Sequence, residues 1–141
     1  KGEVEAAERS GNLEGYLDLL ALLGELDLVE QVAPIQLAIR LLIQEGSRLL
    51  ERSEMREWVG PFAPERLSYT WTHPDPRVDQ LHEEVTALVR RGESGAGSRR
   101  EVFAAIWDCA HRVLEGDRPV PAFSFRRPPA TIPFLTEPWY C

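Results

Sequence analysis

Apolar positions along the chain fall into stretches with different periods. Leu13, Tyr16, Leu17, Leu20 and Leu23 recur three or four residues apart, which predicts a helix over residues 13–28. Asn12 suits its N-cap, because an asparagine side chain can accept an otherwise unpaired backbone N–H. Leu19, Leu22 and Leu26 widen the stripe, and Gly24 leaves a gap beside it. A helix apolar over so much of its circumference is expected to be covered on more than one side. Residues 1–10 are charged and small, the composition of a loose segment or a frayed helix. Val32-Ala33-Pro34 then breaks the pattern. Ile35, Leu37, Ile39, Leu41 and Ile43 alternate with Gln36, Ala38, Arg40 and Leu42. Period two across residues 35–43 predicts a β-strand. A helix followed by such a strand is an α/β arrangement, in which the strand joins a parallel sheet. One strand is not stable by itself, so its neighbours are expected from another segment, and the chain reads as a fragment.

Glu45-Gly46-Ser47 turns the chain into a short helix over 48–52, and Ser53 starts another through Trp58, ended by Gly60-Pro61. Residues 61–75 read as irregular. Asp75-Pro76 opens a helix with proline at its first position. It runs to about Arg91, with Val78, Leu81, Val85, Leu88 and Val89 inward. Residues 92–97 read as a flexible linker. Ser98-Arg99-Arg100-Glu101 is a capping box. It starts a helix to about Glu115 that turns Val102, Phe103, Ile106, Trp107, Ala110, Val113 and Leu114 inward, and Gly116-Asp117 stops it. Beyond lie Pro119, Pro121, Pro128, Pro129, Pro133 and Pro138. So many prolines forbid a helix and favour an extended track laid over a surface. The predicted fold is mostly α with one clear β-strand. Its parts are a helix and strand over 1–46, a helical region over 47–116, and a proline-rich tail over 117–141 that ends in a thiol.

Charge and composition narrow the function classes. The 141 residues suit one domain or part of a larger one, and 43% apolar residues can fill a real core. A net charge of −7, without any basic stripe, argues against a general nucleic-acid binder. Two cysteines, Cys109 and Cys141, are too few for a disulfide framework and fit a reducing cytoplasm. The start, Lys1-Gly2-Glu3-Val4-Glu5, lacks the apolar core of a signal peptide. No run reaches the roughly 18 apolar residues of a membrane span, so no membrane is expected as a partner. The absent initiator methionine and the apolar, aromatic ending on Cys141 both read as truncation.

Several residues suggest chemistry. His73, Asp75 and His82 resemble a loose metal set, but His73 and Asp75 flank a helix start, where they serve as caps, and no metal site is assigned. Cys109 and His111 could be a thiol and its base. Residues two apart on a helix point about 200° apart, so the pair does not face itself, and Cys109 follows the buried series Val102, Ile106, Val113. Arg40 interrupts an apolar strand. It would reach a ligand carboxylate at the sheet end or pair with an acidic neighbour such as Glu45, and pairing is the better reading. Trp58, Trp71, Trp107 and Trp139 are too scattered for a stacking platform. Trp139-Tyr140 reads either as a strap over the helices or as a carrier that brings Cys141 to an active site. Such a thiol reacts only as its thiolate.

Two stretches carry a resemblance. The first is Asn12-Leu13-Glu14-Gly15-Tyr16-Leu17-Asp18-Leu19-Leu20, then Val32-Ala33-Pro34-Ile35-Gln36-Leu37-Ala38-Ile39-Arg40-Leu41-Leu42-Ile43, then Glu45-Gly46-Ser47. It resembles the late barrel segment of cobalamin-dependent radical S-adenosylmethionine enzymes. The second, Thr136-Glu137-Pro138-Trp139-Tyr140-Cys141, is similar to the C-terminus of a subgroup whose tails read Cys-Cys-Ala-Glu-Pro or Cys-selenocysteine-Ala-Glu-Pro. The resemblance implies that residues 1–46 are the last helix and strand of a partial α/β barrel. It also implies a full-length protein with a [4Fe–4S] cluster, S-adenosylmethionine and cobalamin. The cluster needs three thiolates at Cys-x-x-x-Cys-x-x-Cys spacing, which this chain lacks, so no cofactor is expected in it alone. The implied partners are the N-terminal barrel and cobalamin domain of the same protein. Cys141 is the implied catalytic residue, as half of a redox pair, and Arg40 the implied cofactor contact. A UGA codon read as a stop would explain the ending. The alternative, from the residues themselves, is a non-catalytic helical interaction module that docks a partner helix or groove.

Overall fold

A computed structural model describes residues 2–38, 40–95 and 97–129, with residues 2–13 described as helical backbone. Its centre is an antiparallel pair of helices, α3 (Pro76–Ser94) and α4 (Arg99–Glu115). The start signals act as their chemistry dictates. Asp75 accepts from the Arg77 N–H at 3.0 Å, with Pro76 behind it. Ser98 Oγ accepts from the Glu101 N–H, while the Glu101 carboxylate accepts from the Ser98 N–H at 2.7 Å. Helix α3 runs three residues beyond the expected Arg91, into the predicted linker. The two helices approach closely where Gly92 meets Val102, because a β-carbon at Gly92 would collide with the valine side chain. The inward residues match the 3.6-residue period. Leu81, Val85 and Val89 face Val102, Phe103, Ile106, Trp107, Cys109, Ala110 and Leu114 in one core.

Helix α1 (Gly2–Glu25) packs Leu20 and Leu23 onto α4 in the same core. It begins well before the expected Leu13. It also ends three residues short of Leu28, for a local reason. Asp27 takes a left-handed conformation at φ 58°, and Leu28 N–H donates to Leu23 O at 2.9 Å while Asp27 N–H donates to Gly24 O at 3.2 Å. These two bonds form a Schellman closure, which satisfies the last carbonyls and stops the helix.

The expected strand over 35–43 does not form among its described residues. Residues Pro34–Ala38 are a 3-10 helix instead, beginning where Gln36 N–H donates to Ala33 O at 2.9 Å and the Gln36 side chain accepts from Ala33 N–H at 3.1 Å. Ile35 and Leu37 lean on the helical core and Ala38 is buried. No parallel neighbour stands beside this segment among the described residues, so its backbone groups close on local i→i+3 partners. Among the described residues of this segment, only Ile43 keeps a sheet-like pairing, an antiparallel bridge to Tyr69.

The described sheet is a hairpin that lies in the stretch expected to be irregular. After 3-10 turns at Val29–Gln31 and Arg48–Glu51 and the short helix α2 (Met55–Trp58), strand β1 (Val59–Ala63) pairs antiparallel with β2 (Ser68–Trp71). Val59 faces Trp71 and Phe62 faces Tyr69, with an irregular register between them that accommodates Pro61. The 3-10 turn Pro64–Arg66 and Leu67, left-handed at φ 51°, close the hairpin.

Residues 117–129 carry no regular secondary structure. They cross the helices as a strap: Trp107 Nε1 donates to Pro121 O at 3.0 Å, and Phe123 stacks among Phe103, Trp107 and Phe125. Arg127 then pairs with Asp27 at 3.2 Å, beside the end of α1.

Candidate functional site

Arg40 stands at a polar junction between the hairpin and α3. Its guanidinium lies 4.0 Å from the centre of the Trp71 ring, donates to Trp71 O at 2.6 Å and sits 2.6 Å from Asp79 Oδ1. Trp71 Nε1 donates back to Leu41 O at 2.8 Å. Arg40 therefore pairs with an acid, but with Asp79 on α3 rather than Glu45. Both polar contacts are made by one guanidinium nitrogen, Nη2.

The same junction holds the loosely metal-like residues and separates their roles. Asp79 Oδ2 accepts from His73 N–H at 3.0 Å, and His73 Nδ1 accepts from Asp75 N–H at 3.0 Å. The Arg77 side chain clamps Asp75, and this hydrogen bonding holds the Asp75 carboxyl below the usual carboxylate range. His82 is half-buried on α3; burial first, and then nearby Arg40, push its imidazole toward the neutral form. The His73 ring rests against Trp58, with centroids 5.4 Å apart. Among the described residues, no three His, Cys, Asp or Glu side chains gather as a metal site.

Between α3 and α4 lies a shallow cleft of about 380 Å³, lined by Glu84, Leu88, Arg91, Asp108, Cys109 and Arg112. Cys109 is 2% exposed and donates its S–H to Glu84 at 3.3 Å. Burial, then the Glu84 carboxylate, push this thiol up to about 11. Gln80, Cys109 and Arg112 all donate toward Glu84, whose carboxyl is held low, chiefly by Gln80. A protonated thiol beside a firmly ionised acid provides neither a nucleophile nor a neutral-pH base. Cys109 belongs to the core, as its position in the helix period implies. His111 is also buried, facing Trp107 at 4.6 Å and Glu115 at 3.1 Å rather than Cys109.

The remaining feature is apolar. On α1 and its last hydrogen-bonded turn, where Leu26 N–H donates to Leu22 O, Leu19, Leu22 and Leu26 are 44%, 49% and 57% exposed. Residues 19, 22 and 26 share a helix face opposite the one that buries Leu20 and touches Phe123 at Gly24. The double-sided apolar pattern of the sequence is thus covered on one side only among the described residues. Cys141, with Trp139 and Tyr140, lies outside the described residues. No described helix is long and apolar enough to cross a membrane.

Comparison of the chain with protein-family models, with curated proteins and with solved structures finds no match.

Proposed function

We propose that the chain works as a helical protein-interaction module whose docking surface is the outer face of α1. One observation carries the reading: Leu19, Leu22 and Leu26 stand half in water on a helix whose other side places Leu20 and Leu23 in the core. A row of leucines at three- and four-residue spacing is the geometry by which one helix face engages another helix. The polar clusters do not compete with it, because Arg40, Asp79, Asp75, Glu84 and Cys109 bond to one another or to backbone. The test is Leu22→Glu, followed by thermal unfolding and light scattering. A docking face outside the core predicts an unchanged midpoint and a monomeric, folded chain. Loss of the fold would make the face part of the core and sink the reading.

A second reading keeps the radical S-adenosylmethionine resemblance. The same uncovered face would then pack on the barrel and cobalamin domain of one longer protein, with Cys141 as the catalytic thiol and the cluster, S-adenosylmethionine and cobalamin held elsewhere. The partial barrel belongs to this reading, as does the full proline-rich tail. Reading the coding DNA decides it. An in-frame upstream Cys-x-x-x-Cys-x-x-Cys and a UGA followed by codons for Ala-Glu-Pro would favour it; an ordinary stop after Cys141 and no such motif would sink it.

A further inference from the structure

We infer that the outer face of α1 takes a basic amphipathic helix, a step that rests on the interaction-module reading and names its partner. At about 100° per residue, Leu19, Leu22 and Leu26 fall within an arc of about 60°. One border of that arc turns into the core at Tyr16 and Leu23. The other carries Asp18 and Glu25, both exposed, and neither forms an ion pair among the described residues. No lysine or arginine occurs between Arg9 and Arg40, so nothing in α1 beyond Arg9 offsets those acids. Asp27 and Glu30, just beyond the helix, are by contrast paired with Arg127 and Arg100. The docking surface is therefore three leucines with an acidic edge.

Charge selects the occupant. A second copy laid antiparallel on this face would set Asp18 against Glu25 of its mate, in a chain whose net charge is already −7. An anionic membrane surface would meet the same repulsion. A helix with leucine-like residues on one stripe and lysine or arginine beside it buries the three leucines and neutralises the acidic edge together. The partner is thus read in the same terms as a coiled-coil seam, with an apolar stripe for affinity and flanking charge for choice.

Two synthetic helices test this by fluorescence anisotropy against the whole chain. Both carry leucine at heptad positions a and d; one has lysine at e and g, the other glutamate. The lysine helix is expected to bind, and Leu22→Gln to weaken it at least about tenfold. The pair Asp18→Asn with Glu25→Gln is expected to weaken it about threefold or more, as is raising salt from about 50 to about 500 mM. The glutamate helix is expected not to bind. Equal binding of both peptides would overturn the basic partner while leaving α1 as a docking face. Binding that ignores Leu22→Gln would overturn the docking face itself, and with it the interaction-module reading. A dimer dissolved by Leu22→Gln would replace the basic helix with a second copy. Circular dichroism of each variant guards against mistaking unfolding for lost binding.

Discussion

Arg40 and Trp71 are joined three ways: the guanidinium covers the indole ring, donates to the Trp71 carbonyl, and lies next to Leu41, whose own carbonyl takes the indole N–H. With Asp79 on the far side, this joint fastens the hairpin to α3. Arg40→Ala is expected to cost about 2–4 kcal/mol, from a partly exposed cation–π contact, a charged hydrogen bond and a half-buried ion pair. Arg40→Lys recovers less than half, since an ammonium lacks the planar fork. Urea midpoints measure both, and an Arg40→Ala chain as stable as its parent would mean the joint holds nothing.

The buried thiol predicts a stability that falls with alkali. Cys109 rises from 9.0 to about 11 on folding, so the folded chain keeps a proton that the unfolded chain gives up. Its contribution is fully present below pH ~9 and is lost as pH climbs toward ~11, by about 2–3 kcal/mol in all. Tyr16, also raised by burial, adds to the loss at higher pH. Denaturation curves between pH ~8 and ~11 should flatten in Cys109→Ala through the lower part of that range. A parent curve already flat there would contradict the burial of the thiol.

Local signals in the sequence were readable where the chemistry is local. Ser98 and Glu101 lie three residues apart and could only cap each other, and Asp75-Pro76 was as plain. Ser98→Ala should accordingly lower stability by about 1 kcal/mol. Its check is a shift in thermal midpoint, with the helical signal otherwise intact. The alternation over 35–43 misled because a strand is defined by its neighbour, and no residue in that stretch says whether one exists. Pro61 and the irregular register concealed β1, although Tyr69-Thr70-Trp71 held the aromatic and β-branched residues of its partner. Arg40 was legible as a paired charge, yet not its mate, because Asp79 lies on another element. The apolar breadth of α1 was visible from the start. Which side would stay open depended on where α4 and Phe123 came to rest.

Gly24 and Phe123 offer a separate test of the strap. A β-carbon at Gly24 would run into the ring, so the helix and strap are in direct contact there. Phe123→Ala should cost about 3 kcal/mol, the usual loss for an aromatic side chain packed among others. It should also speed trypsin cleavage after Arg126, the strap arginine not followed by proline, before the helices unfold. Unchanged cleavage kinetics would show that Arg100, bonded to the carbonyls of Arg127 and Pro128, holds the strap without the ring.

Helix α4 sits against α1, α3, the 3-10 turns at Val29–Gln31 and Pro34–Ala38, and, through Trp107 and Arg100, the strap. The hairpin and α2, by contrast, pack chiefly on their immediate neighbours. Cooperativity follows from that asymmetry. Helix α1 and the turn Val29–Gln31 have little else to hold once α4 leaves, and α3 loses its main partner, so these elements lose their structure in one step. The hairpin can open earlier, at lower free energy, as a sub-global unit whose amides exchange with solvent while those of α4 remain protected.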